Sequence, residues 1–157
     1  MTITVRNVRL EDTEALVGLL RAQALFPRFE EETREASQAR VREQIALGLA
    51  DRSHTTFVAE VDGNLAGYAA VHWLPYLILA GPEGYVSELF VHPAFRSLGL
   101  GRRLLEAAKD EARSRGCSRL SLINFRNRAS YQRGFYAKNG WKERPEAANF
   151  VLSLSDD

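Results

Sequence analysis

A chain of 157 residues, 45% of them hydrophobic and 26% charged, has the size and composition of one ordinary soluble domain that buries a core without staples. Its 21 Lys and Arg against 20 Asp and Glu leave a formal net charge of +1, which argues against nucleic acid or an anionic membrane as a partner recruited by charge. The lone Cys117 excludes an intrachain disulfide, and His54, His72 and His92 lack metal-ligand spacing, so no metal is expected.

In chain order, Ile3 and Val5, with Val8 shortly after, alternate as a first strand does. No long apolar run for a signal peptide or membrane span opens the chain, and a cytoplasmic address is the expectation. Glu11 and Asp12 suit a helix N-terminus, and Ala15, Leu16, Leu19 and Leu20 recur on one helical face. Pro27 interrupts, and a stretch with Glu30, Glu31, Glu32 and Glu35 leads to a second helix marked by Val41, Ile45 and Leu49.

The period then changes to that of strands. Phe57–Val61, the turn residues Asp62-Gly63-Asn64, and Leu65–Trp73 predict a hairpin. Pro75, Gly81, Pro82 and Gly84 bracket a loop with an apolar middle, and a third strand is expected from Tyr85 to His92. A helix from about Leu100 to Arg115 carries Leu104, Leu105, Ala108 and Ala112 on one face and stops at Gly116. A strand at Leu120–Ile123, a last helix from Ala129 to Lys138, and a closing strand at Phe150–Leu154 complete the series. The order β-α-α-β-β-β-α-β-α-β predicts a mixed α/β (α+β) fold, a single domain over residues 1–157 around one mixed sheet.

The chemistry centres on Arg96-Ser97-Leu98-Gly99-Leu100-Gly101-Arg102, between a strand and a helix. Such a turn presents free backbone N–H groups and the positive end of a helix dipole, which suits a diphosphate. Gly101 is followed by Arg102-Arg103, which excludes the P-loop, and Leu104 stands where a dinucleotide fingerprint needs a third small residue.

Glu88-Leu89-Phe90-Val91-His92-Pro93, followed by Arg96-x-x-Gly99-x-Gly101 and Leu104-Leu105, resembles the principal acetyl-CoA motif of the GNAT superfamily of N-acetyltransferases. The element order extends the resemblance over nearly the whole chain. It implies a central, mostly antiparallel mixed sheet flanked by helices on both faces, and acetyl-CoA as acetyl donor to a primary amine of a small molecule or peptide. Backbone groups of Arg96, Ser97, Leu98, Gly99, Leu100, Gly101 and Arg102 would hold the pyrophosphate. Leu89, Phe90 and Val91 would line the pantetheine arm, on a strand that splays from its neighbour in the family.

Phe135-Tyr136-Ala137-Lys138-Asn139-Gly140-Trp141 resembles the family's second element, in which Tyr136 would face the coenzyme sulfur. The usual helix-starting Asn is displaced here, and Asn127 or Asn124 would meet the coenzyme. Glu88 stands where several relatives place the base that deprotonates the amine, an alkylammonium being without a lone pair; Tyr85 and His72 are the runners-up. Segments 24–35 and 74–84 would border the acceptor, the Glu cluster favouring a cationic amine. A homodimer is expected from the resemblance. The competing reading is a non-catalytic coenzyme A sensor or interaction module of the same fold.

Overall fold

The computed structural model describes residues 1–155 and resolves them into two compact units, residues 1–123 and residues from 124 onward. The first holds a five-stranded sheet in the order β1-β2-β3-β4-β5: β1 (Ile3–Asn7), β2 (His54–Val61), β3 (Asn64–Leu74), β4 (Glu83–Val91) and β5 (Arg119–Leu122). The β1–β4 neighbours pair antiparallel and β4·β5 pairs parallel, the mixed, mostly antiparallel sheet expected. Helices α1 (Thr13–Ala22), α2 (Pro27–Glu31) and α3 (Arg34–Leu49) precede β2, and α4 (Leu100–Ser114) joins β4 to β5.

The local reasons are visible in the residues. Asp62 and Gly63 both take positive φ, 49° and 81°, which a type I′ turn demands, and Val61 pairs with Asn64 across it. Pro27 opens α2, where its missing N–H costs nothing. Thr33 caps α3 by accepting from the Ala36 N–H at 3.1 Å.

One face of the sheet packs on α1 and α3 through Val8, Leu16, Val17, Leu19, Leu20, Val41, Val58 and Tyr68, with Phe90 at the margin. The other face meets α4, whose Leu104 and Ala108 are fully buried. Polar groups under α4 are satisfied in series. The Trp73 indole donates to Thr55 at 2.9 Å, Thr55 to Glu111 at 3.1 Å, and Arg115 to the same carboxylate at 3.0 Å.

In the second unit, Gly134 at φ 68° divides the expected last helix into α5 (Ala129–Gln132) and α6 (Phe135–Lys138). Residues 141–155 contain neither helix nor strand, so the closing strand anticipated at 150–154 is absent. A strand needs a ladder partner for its backbone groups, and among the described residues the sheet ends at β5. Phe150, Val151, Leu152 and Leu154 are exposed.

The β1–α1 connection rests on Arg6, which donates to Asp12 at 2.8 and 2.9 Å and also binds Glu60. The Arg6 bonds hold the Asp12 carboxyl below its ordinary pKa, against burial, which pushes it up. A depressed folded-state pKa adds stability above the unfolded value of about 3.9, lost as pH falls through the folded value. Arg6→Met is therefore expected to cost about 2–3 kcal/mol at pH 7 in denaturant melts. It should also flatten the loss of stability at and below about pH 4, where Asp12 titrates.

Candidate active site

Strand β4 is where the two halves of the site meet. At its start, Glu83 is buried and forms an ion pair with Arg119 of β5 at 2.5 Å, while the Ser118 N–H donates to the Pro82 carbonyl at 2.8 Å. The parallel ladder then runs only from Glu83↔Arg119 to Val86↔Leu122. On the opposite side, Ala70 pairs with Glu88 but Val71 pairs with Val86, so Ser87 is an extra residue, a β-bulge. A bulge bends its strand and raises its twist. It lies immediately after the last β4–β5 pair, and Ser87–Val91 have no β5 partner.

The end of the β4–β5 ladder leaves identifiable backbone groups on that edge of β4. The His92 N–H donates to the Ala66 carbonyl of β3 at 2.7 Å. The Val91 carbonyl of the same trans peptide therefore points away from β3, toward the open edge. Strand alternation gives Leu89 the same direction. Phe90 instead turns its side chain into the core, edge-on to Phe26 with ring centroids 5.2 Å apart.

Beyond β4, a short 3-10 turn (Pro93–Phe95) leads to Arg96, and the chain turns through Ser97 (φ 68°) and Gly99 (φ 76°) into α4. Gly99 caps the helix without a side chain, and the first intrahelical bond is from the Arg103 N–H to the Gly99 carbonyl at 3.1 Å. The N–H groups of Leu100, Gly101 and Arg102 thus precede the helical ladder and lack acceptors within it. With the positive dipole end of a helix running Leu100–Ser114, they are a set of donors suited to an anion. Arg102 and Arg103 are exposed on this first turn. Arg96 donates to Gln23 Oε1 at 3.3 Å.

The second half of the site lies on the α1/α3 face. Both Ser87 and Glu88 project there, because a bulge places two residues opposite one. The Glu88 carboxylate accepts from the Tyr68 hydroxyl at 3.1 Å. Glu88 keeps solvent-accessible surface, yet protein crowding raises its pKa above the ordinary carboxylate value; the Tyr68 bond opposes that rise. Burial also pushes the Tyr68 hydroxyl well up, as does the Glu88 charge, so it stays a donor.

His72 pairs across the strands with Tyr85, and its Nε2 lies 2.8 Å from Ser87 Oγ. Burial and the neighbouring His54 lower its pKa, keeping the imidazole neutral at pH 7. Glu88, Tyr85 and His72 are therefore brought together, joined by Tyr68 and Ser87, which sequence reasoning missed. Of the acidic cluster, Glu32 is spent internally, bound by Arg40 at 2.9 and 3.0 Å and Ser37 at 2.8 Å, its pKa lowered to about 2. Two open depressions, one edged by Trp73 and Arg115 and one between α1 and α3, contain none of Tyr68, His72, Tyr85, Ser87 and Glu88; Glu35 of the acidic cluster lines the second.

In the second unit, Tyr136 stacks edge-on with Phe135 and Trp141, and burial raises its hydroxyl to about 12, with Arg133 acting the other way. Asn124 donates to Ser130 at 3.0 Å, whereas Asn127 is exposed.

A strand whose ladder on one side ends at Val86, feeding an uncapped, glycine-opened helix with a carboxylate nearby, is the arrangement expected of an acyl-CoA-dependent acyltransferase. Residues 13–141 match the Acetyltransferase (GNAT) family, and the chain belongs to it. It is 35% identical over 144 residues to glucosamine 6-phosphate N-acetyltransferase 1 of Oryza sativa subsp. japonica, covering 89% of this chain and 81% of that protein. It is 27% identical to aminoalkylphosphonate N-acetyltransferase of Salmonella typhimurium, covering 88% and 84%. The fold is similar to that of an aminoglycoside N-acetyltransferase in complex with CoA, with TM-score 0.74 at 22% identity over 98% of this chain and 96% of that one. The protein is an acetyltransferase using acetyl-CoA to acetylate an amine. No helix of the described residues is long and apolar enough to cross a membrane.

The phosphate assignment has a direct test. Gly99→Val forces a β-branched residue into φ 76° at a position with open space around its Cβ. Coenzyme A affinity measured by calorimetry should fall at least about tenfold while the far-UV circular dichroism is retained. Unchanged affinity would contradict the assignment.

Proposed function

We propose that this chain acetylates a primary amine of a small molecule by direct attack in a ternary complex, with Glu88 as the proton acceptor. The carrying observation is the Glu88 carboxylate, held by Tyr68 beside the open edge of β4 and raised in pKa by its surroundings. A base must be basic enough to draw a proton from an ammonium group of pKa about 10.4, and raising a carboxylate improves that match.

The unpaired N–H groups at the start of α4 and the open β4 edge fit a diphosphate joined to an extended amide arm. Acetyl-CoA supplies the thioester carbonyl and the thiol leaving group. The Leu100, Gly101 and Arg102 N–H groups hold the diphosphate, and edge groups of Leu89 and Val91 bond the arm as an added strand would. Arg96, Ser97 and Leu98 shape the turn into the helix. Glu88 takes one proton from the ammonium, which frees the nitrogen lone pair to attack. An edge N–H of β4 stabilises the oxyanion that develops. The C–N bond forms, the C–S bond breaks, the nitrogen loses its second proton, and the sulfur gains one.

For Tyr136 the proposal rests on the family resemblance and on its own chemistry. A phenol at about 12 stays protonated through the working pH range and donates a hydrogen bond to sulfur. Asn127 is proposed as a further coenzyme contact on the resemblance alone. The match over residues 13–141 spans both units and supports reading the chain as a single acetyltransferase domain. The exposed apolar side chains of Leu77, Ile78, Phe150 and Leu152 support a homodimer. Sedimentation should then give twice the chain mass at micromolar concentration.

The acceptor class follows the relatives' names: amines carrying a phosphoryl group or several hydroxyls. Release of coenzyme A thiol is to be measured with glucosamine 6-phosphate, an aminoalkylphosphonate and an aminoglycoside; binding of the coenzyme without turnover on any amine would favour the sensor. With an active amine, Glu88→Gln should abolish the acid limb of the pH–rate profile and cost about 10²–10⁴-fold in kcat. Tyr68→Phe removes the bond that holds the Glu88 pKa down, so the acid limb should move to higher pH. A limb that moves down or stays put would remove Glu88 from the role.

A further inference from the structure

Gln23, the residue that ends α1, is a buried polar residue continuing the helix's apolar face one turn after Leu19. Burying an amide costs free energy unless every group finds a partner, and a hydrocarbon at this position would serve the core better. Its partners explain its presence. Nε2 donates to the Val91 carbonyl at 3.0 Å and, more weakly, to the Leu19 carbonyl at 3.4 Å. Oε1 accepts from Arg96 at 3.3 Å. A flipped amide would face its oxygen toward two carbonyls and its NH2 toward a guanidinium, so this orientation alone satisfies all three contacts.

A helix-end cap would bond its own helix, and that contact is the longest in the set. The two other contacts reach 68 and 73 residues along the chain. They fall on the last carbonyl of the free β4 edge and on the first residue of the Arg96–Arg102 turn. One side chain thereby ties the two backbone elements that must match a single ligand, the edge that meets the arm and the turn that meets the diphosphate. It also changes what the edge offers: with the Val91 carbonyl occupied, Leu89 keeps both its groups and Val91 keeps only its N–H.

We infer that Gln23 is a positioning residue of the coenzyme site, setting the end of the β4 edge and the entry to the phosphate turn relative to each other. The inference rests on the coenzyme reading above. It touches no reacting atom, so its loss appears in coenzyme affinity before anything else.

The test is calorimetric titration with coenzyme A, well below each variant's thermal midpoint, of the intact chain and of Gln23→Met, Arg96→Met and the double variant. Methionine keeps the length and volume of glutamine but makes none of the three bonds. Gln23→Met should bind coenzyme A about tenfold more weakly with native circular dichroism. The double variant should be little worse than the weaker-binding single one, because the two residues act as one unit. Should Gln23→Met fail to fold, Gln23→Asn keeps the amide one methylene too short to hold both contacts and should show the same loss. If the unaltered chain does not bind coenzyme A, the site reading fails and the inference with it. If it binds, and Gln23→Met or Gln23→Asn binds as tightly, the inference alone is overturned. Fully additive losses from positions 23 and 96 would also overturn it.

Discussion

The site depends on one irregularity, the extra residue Ser87 in β4. Before it, β4 is an ordinary interior strand, paired on both sides and anchored to β5 by the buried Glu83–Arg119 ion pair. After it, β4 is paired on one side only. Within a sheet, unpaired N–H and C=O groups are a liability that proteins usually cover. Here they are held open beside a bend, and the same bulge turns Ser87 and Glu88 together onto the face that carries Tyr68 and His72. A single backbone insertion thus coincides with the end of the β5 ladder and brings a carboxylate onto the Tyr68 face beside the edge left unpaired.

Binding of the diphosphate is assigned mainly to the backbone. Gly99 at φ 76° enters α4 with no side-chain cap, and three N–H groups remain directed outward. The arginine that opens the motif is turned partly inward, toward Gln23, so its charge supports the geometry of the turn. Oriented N–H dipoles at a helix terminus need no side-chain ordering to bind an anion, whereas an exposed arginine must give up rotamer entropy to do so.

The parts of this architecture that local rules govern were legible in the sequence. Asp62-Gly63 demands a type I′ hairpin, the leucines of α4 repeat with helical period, and Gly99-x-Gly101 marks the turn into α4. Parts that depend on partners distant in the chain were not. The bulge is a mismatch of register between β3 and β4, and nothing in Val86-Ser87-Glu88 alone announces it. Gln23 offered a signal, a polar residue on an apolar helical stripe, but its meaning required Val91 and Arg96 to be in place. Phe150–Leu154 show the opposite failure. Their apolar run satisfies strand propensity, but propensity provides no ladder, and these residues remain exposed.

The pKa of Glu88, the proposed proton acceptor, depends on a balance between two opposing effects. Crowding raises its pKa, and the Tyr68 hydroxyl lowers it by donating to the ionised form. Crowding makes the ionised carboxylate a stronger base, and the Tyr68 bond keeps that rise in check. A fully solvated carboxylate would be ionised but too weak a base. The phenol stays protonated because the adjacent carboxylate charge and its own burial both oppose its ionisation, so it remains a donor throughout the cycle. In the proposed reaction, protonation of Glu88 would cost Tyr68 its charged acceptor, and that lost bond would favour return of the proton to solvent. As proposed, the pair would both temper the base and reset it, and the geometry that joins them exists because β3 and β4 remain paired beyond the bulge.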